Sequence, residues 1–200
     1  MAQGSHLRFP PNFSQLKEVD MYAFKNAFAG CTEYDYVGAD WASNGRAMSF
    51  ADDVELSLSA CEGMYKGSKC TGGNTGRVMN FLNIKRLGVA CFKDAWREAT
   101  IGNQQISLPI KIDYPAECFS GAFAESTANL YDTTNTNGIQ LIASSIGNNA
   151  CFEMFKGSAQ EYLNVIVSTT SIGAGGCESM FENCAKLVSC PGVASNGNID

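Results

Sequence analysis

A dyad of Met or Ala followed by an aromatic residue recurs six times along the chain: Ala27-Phe28, Met64-Tyr65, Ala95-Trp96, Ala122-Phe123, Met154-Phe155 and Met180-Phe181. The aromatics stand 37, 31, 27, 32 and 26 residues apart. Three residues before each Met or Ala comes a Cys or Phe, namely Phe24, Cys61, Phe92, Phe119, Cys151 and Cys177. Three residues after each aromatic comes a small residue: Cys31, Ser68, Ala99, Ser126, Ser158 and Cys184. A period in this range marks supersecondary units that cannot bury an apolar face alone and must stack on one another. Within one unit Cys61, Met64, Tyr65 and Ser68 stand at i, i+3, i+4 and i+7, the spacing of one helical face. Each unit is therefore expected to carry a short amphipathic helix of about two turns, too short to form without packing.

Between these units the apolar period changes to two. Val54, Leu56 and Leu58 alternate with Glu55, Ser57 and Ser59; Ile106, Leu108, Ile110 and Ile112 alternate across Pro109; Leu163, Val165 and Val167 do the same. Such alternation predicts strands with one face buried, and Pro109 is compatible with an unpaired or edge donor. The unit then reads strand, turn, short helix, loop. The fold class expected is an α/β solenoid, a stack of strand–turn–short helix units with one parallel sheet along a side. Pro10-Pro11 cannot lie within a helix, so residues 1–22 are expected to be an N-terminal arm or cap. Residues 23–193 are expected to form a single repeat domain of about six units, and residues 194–200 a polar tail.

The net charge of -6 and pI of about 4.8 provide no electrostatic footprint for nucleic acid. No run of 18 apolar residues, secretory h-region or lipidation signature is present, so no membrane insertion is expected. That pattern suits a chain made and left in a cytoplasm, or one whose signal has been removed. Nine cysteines is a high and odd number. Five of them, Cys61, Cys91, Cys118, Cys151 and Cys177, fall in or beside one apolar column of the repeat, where buried thiols fit better than a disulfide framework. Cys70 and Cys190 stand outside the columns and are the candidates for exposed or paired thiols.

The inventory for catalysis is thin. The single histidine, His6, lies in the expected arm, which removes the base from any Ser-His or Cys-His pair in the repeats. Cys177, Cys184 and Cys190 lack C-x-x-C spacing, and Asp52, Asp53 and Glu117 do not form an alternating calcium loop. The glycine-rich connector from Lys69 to Arg77 lacks the G-x-x-x-x-G-K-[ST] pattern and reads as a turn. No catalytic, cofactor or metal residues are expected. The residues singled out are a structural ladder, Phe28, Tyr65, Trp96, Phe123, Phe155 and Phe181 with Cys61, Cys91, Cys118, Cys151 and Cys177. Tyr34, Tyr36 and Trp41, in the insertion after the first unit, are candidate contact residues or a cover for the open end of the core.

With the units aligned, Thr169-Thr170-Ser171-Ile172-Gly173, then Cys177-Glu178-Ser179-Met180-Phe181-Glu182-Asn183-Cys184-Ala185-Lys186-Leu187 and the following Pro191, resembles the BspA-like class of leucine-rich repeats. That class runs as a strand, a T-x-I-G turn, an A/C-F/Y-x-x-M/A-F-x-x-C-x-x-L helix and a Pro near the next strand. The resemblance covers roughly residues 54–193. Units of 26 to 37 residues, few leucines after the helix and few prolines depart from the pattern. The resemblance implies a non-catalytic binding or scaffold surface, as in surface proteins of gut and oral bacteria and in phages of such bacteria. Two functions follow as expectations: a structural or decoration subunit of a phage virion, contacting neighbouring subunits, or a secreted or cell-surface adhesin module binding host protein or glycan.

Overall fold

Left-handed backbone conformations, repeated every fourth residue, set the architecture. The computed structural model describes residues 13, 15–31, 50–70, 77–81, 84–101, 104–127, 139–159 and 165–185. Within it, each stretch expected to be a helix is instead a run of consecutive turns, at residues 21–30, 58–67, 89–98, 116–125, 148–157 and 174–183. Each run carries three positive-φ residues four apart. They are Tyr22, Asn26 and Gly30; Ser59, Gly63 and Gly67; Ala90, Asp94 and Glu98; Glu117, Gly121 and Glu125; Asn149, Glu153 and Gly157; and Gly175, Ser179 and Asn183. An α-helix of L-residues cannot take a left-handed residue at every fourth position. Six of these positions are Gly, three are Asn and one is Asp, the residue types that enter that region most readily.

The hydrogen bonds follow a two-residue alternation. In the run 89–98, the N–H groups of Lys93, Ala95 and Arg97 donate to carbonyls three residues back, Ala90, Phe92 and Asp94, at 3.1–3.2 Å. The N–H groups between them, on Phe92, Asp94, Trp96 and Glu98, donate to Cys118, Ser120, Ala122 and Ala124 of the next run at 2.8–2.9 Å. The same alternation links each run to its successor: Phe28 to Met64, Tyr65 to Ala95, Trp96 to Ala122, Phe123 to Met154 and Phe155 to Met180. A helix would send every donor to the carbonyl four residues back. Residues aligned by the sequence repeat are thus the residues whose backbones pair in register, but they pair as turns.

The strands are short, and all pair in parallel. They are β1 (Glu18–Val19), β2 (Glu55–Leu56), β3 (Lys69–Cys70), β4 (Arg77–Asn80), β5 (Thr100–Ile101), β6 (Gln104–Ser107), β7 (Ile112–Tyr114), β8 (Ile139–Ile146) and β9 (Val165–Ser168). They form four separate sheets in the orders β1-β2, β3-β5, β4-β6 and β7-β8-β9. The expected leucine-rich-repeat α/β solenoid is therefore corrected to a strand-and-turn arrangement. Among the described residues there is no helix, and the strands do not join into one continuous sheet. The expected strand over residues 106–112 shows one reason. Pro109 has no N–H to offer a ladder, its carbonyl accepts the Tyr114 hydroxyl at 2.5 Å, and Lys111 turns to φ 60°. Pairing stops at Ser107 and resumes at Ile112.

One apolar core runs through the array, from Phe13 and Val19 to Met180, with Leu56, Met64, Trp96, Phe119, Phe123, Leu141 and Phe155 among its most buried members. Phe13 and Val19 lie inside residues 1–22, the segment expected as an arm or cap; both are buried, and the Phe13 ring stacks on Phe50 at 5.3 Å. Backbones approach closely where the turn runs begin: a Cβ on Gly88 would lie 2.3 Å from the Ser57 carbonyl carbon.

Candidate interaction surface

Parallel backbones stand about 4.8 Å apart, so identical positions of successive runs are forced into face-to-face columns. The aromatic of each dyad forms one such column. Ring centroids are 5.2 Å apart for Phe28–Tyr65, 6.3 Å for Tyr65–Trp96, 5.0 Å for Trp96–Phe123, 5.5 Å for Phe123–Phe155 and 5.8 Å for Phe155–Phe181. Interplanar angles fall from 21° at the first pair to 4° at the last, so the planes are nearly parallel. This is the range of favourable aromatic pairs. The four middle rings are buried, while Phe28 and Phe181 at the two ends are only partly covered.

The sulfur residues line the same interior. Cys61, Cys91, Cys118 and Cys151 are buried, Cys177 is half-buried, and none of these five is in a disulfide. Burial holds the thiols of Cys61, Cys91 and Cys118 well above the ordinary thiol range, because a thiolate there would lose its solvation. Cys151 is raised as well, chiefly because its S–H is held in a hydrogen bond with Cys177 and then by burial. The Cys184 thiol, at the end of the last run, donates to the Phe155 carbonyl at 3.0 Å. Cys61, Cys91, Cys118 and Cys151 are thus structural sulfurs of the core, whereas the half-buried Cys177 has its pKa lowered by the hydrogen bond from Cys151.

The outer side of the turn runs carries a charge network that crosses from run to run. Lys25 pairs with Glu62 at 3.0 Å, and Lys93 with Glu117. Arg97 holds Asp94 at 2.6 Å and reaches Glu125 at 3.4 Å and Glu153 at 3.6 Å; Lys156 bridges Glu153 at 2.7 Å and Glu182 at 3.2 Å. Arg97 reaches Glu153 by passing over the intervening run at Gly121, where a Cβ would lie 2.5 Å from an Arg97 terminal nitrogen. Partners raise the Lys93 and Lys156 pKa values, and hydrogen bonds from Lys156 lower that of Glu182. On the strand side, Glu55 pairs with Lys85 at 2.7 Å and Arg86 at 2.9 Å. Sequence reasoning passed over this network. Its readable signal was the recurring acid–base spacing of three, Asp94 with Arg97 and Glu153 with Lys156.

Comparison with protein-family models, curated proteins and solved structures finds no match. Tyr34, Tyr36 and Trp41 lie outside the described residues, as do Cys190 and the side chain of Cys70. Among the described residues, no group of three His, Cys, Asp or Glu side chains is placed to hold a metal ion, and no helix is long and apolar enough to cross a membrane.

Proposed function

We propose that this chain is a non-catalytic structural protein, a structural or decoration subunit of a phage virion that works through contacts with neighbouring subunits. The observation that carries the reading is the periodic outer surface. Backbone pairing repeats the same outward positions from run to run, and Asp94, Arg97, Glu153, Lys156 and Glu182 link these runs into a continuous charged band. Repetition of this kind offers an extended contact face instead of a single reactive centre. The likeness of residues 169–191 to BspA-like repeats supports an interaction role, and that class occurs in phages as well as on bacterial surfaces.

The test is to isolate the protein from its native source and determine its copy number and its thiols under denaturing conditions. Co-purification with a particle at fixed stoichiometry, with the column cysteines reduced, is expected. Recovery from the secreted or surface fraction, bound to host protein or glycan and carrying disulfides, overturns the virion reading in favour of an adhesin.

A further inference from the structure

Among the described residues, the first and last turn runs present complementary open edges. In every internal junction, alternate N–H groups of one run donate to carbonyls of the next. In the last run the equivalent donors are Gly175, Cys177, Ser179, Phe181 and Asn183, and among the described residues none of their N–H groups has a backbone acceptor. In the first run the equivalent acceptors are the carbonyls of Met21, Ala23, Lys25, Ala27 and Ala29, and none of these receives a backbone donor among the described residues. Donors at one end and acceptors at the other recur at the same two-residue spacing. An open edge of this kind is a template for a further chain.

The side chains agree with the backbone. In the register that all internal junctions share, Phe181 falls opposite Phe28, and these are the two partly covered ends of the aromatic column. Glu178 falls opposite Lys25, both exposed, in the column where Lys25 already pairs with Glu62 inside the chain. We propose that copies of this chain associate head to tail, the run 174–183 of one copy pairing in parallel with the run 21–30 of the next. The junction then repeats the backbone pattern of the internal ones, five N–H to carbonyl bonds, with one aromatic stack and one Lys–Glu pair like that of Lys25 and Glu62. Such a heterologous contact joins unlike surfaces, so it builds rings or open filaments instead of closed two-fold dimers. The proposal rests on the assembly reading above and names its partner.

The test uses the full chain. Backbones paired in parallel bring aligned Cα atoms to about 4.8 Å, within reach of a disulfide. The double variant Lys25→Cys with Glu178→Cys, oxidised with glutathione disulfide, is expected to give a ladder of dimers, trimers and larger species, with the link mapped between positions 25 and 178. Neither single variant forms that link. Sedimentation of the unmodified chain is expected to show a weight-average mass that grows with concentration beyond the dimer. Glu178→Lys, which sets like charges opposite, weakens association several-fold, and adding Lys25→Glu restores it. Dimers formed through position 178 alone, or an unchanged association constant in folded Glu178→Lys protein, overturn the register. A constant monomer mass, as expected where a segment of the same chain covers the edge, overturns the proposal outright. If that monomer is nonetheless found at fixed copy number in a particle, the assembly reading survives and only the head-to-tail partner is lost.

Discussion

Left-handed turn runs and helices respond to glycine with opposite signs. Gly67 stands at φ 64° with no atom within 4 Å of where a Cβ would be, so Gly67→Ala introduces backbone strain and nothing else. A left-handed L-residue costs about 1–2 kcal/mol, and alanine recovers about 0.5–1 kcal/mol by restricting the unfolded chain. The net expectation is a loss of about 0.5–1 kcal/mol. Glu98 occupies the aligned position one run later, at φ 59° and exposed, so Glu98→Gly runs the same balance in reverse and gains about 0.5–1 kcal/mol. Urea denaturation midpoints measure both, and for a chain of this size 1 kcal/mol corresponds to about 2–4 °C in Tm. In a helix Gly67→Ala would stabilise and Glu98→Gly would destabilise, each by about 1 kcal/mol. That inverted pair of signs would refute the turn architecture.

Phe155 is fully buried between the rings of Phe123 and Phe181 at 5.5 and 5.8 Å, so Phe155→Ala is expected to cost about 3–5 kcal/mol, and an unchanged melting temperature contradicts the column. Gly121→Ala adds left-handed strain at φ 60° and drives a methyl into Arg97, so stability should fall by about 2 kcal/mol and lose part of its salt dependence as the Arg97–Glu153 link breaks; an unaltered salt profile argues against the network. The buried thiols make a prediction at alkaline pH. Cys61, Cys91, Cys118 and Cys151 have raised pKa values in the fold, so their contribution is fully present below the unfolded thiol pKa of about 8.5. Above it the unfolded chain releases protons that the folded chain keeps, and stability drops by about 1.4 kcal/mol per pH unit for each thiol. Urea midpoints at pH 8 and pH 10 in reducing buffer check this, and equal values refute the burial of the column.

Much of the register was legible because it is written in single residues. The dyad of Met or Ala with an aromatic picks out Tyr65, Trp96 and Phe123, and these residues pair backbone to backbone through Tyr65 N–H with the Ala95 carbonyl and Trp96 N–H with the Ala122 carbonyl. The helix assignment failed for a physical reason. Over ten residues a period of four and a period of 3.6 bury the same set, and Cys61, Met64, Tyr65 and Ser68 face inward under either. The deciding signal was present in Gly63 and Gly67, Asn149 and Gly157, and Gly175 and Asn183, left-handed formers spaced by four or eight within a run. The strands were harder to bound, since Pro109 and the left-handed Lys111 interrupt an alternation that reads as continuous. The charge band was invisible, because Arg97 meets Glu153 across 56 residues of chain and only by way of a glycine in the run between them.

Recurrence, column identity and the inward set of each unit reside in local composition, and residue types alone carry them. Whether an N–H closes four residues back or crosses to a neighbouring run is a different kind of choice. It depends on a carbonyl supplied by residues some 25 to 36 positions away, as with Phe155 and Met180 or Phe28 and Met64. Only when the runs stand side by side does the cross-run bond exist to offset left-handed strain at residues such as Glu117 and Glu153. The turn run is therefore a product of its neighbours, and tertiary pairing decides it.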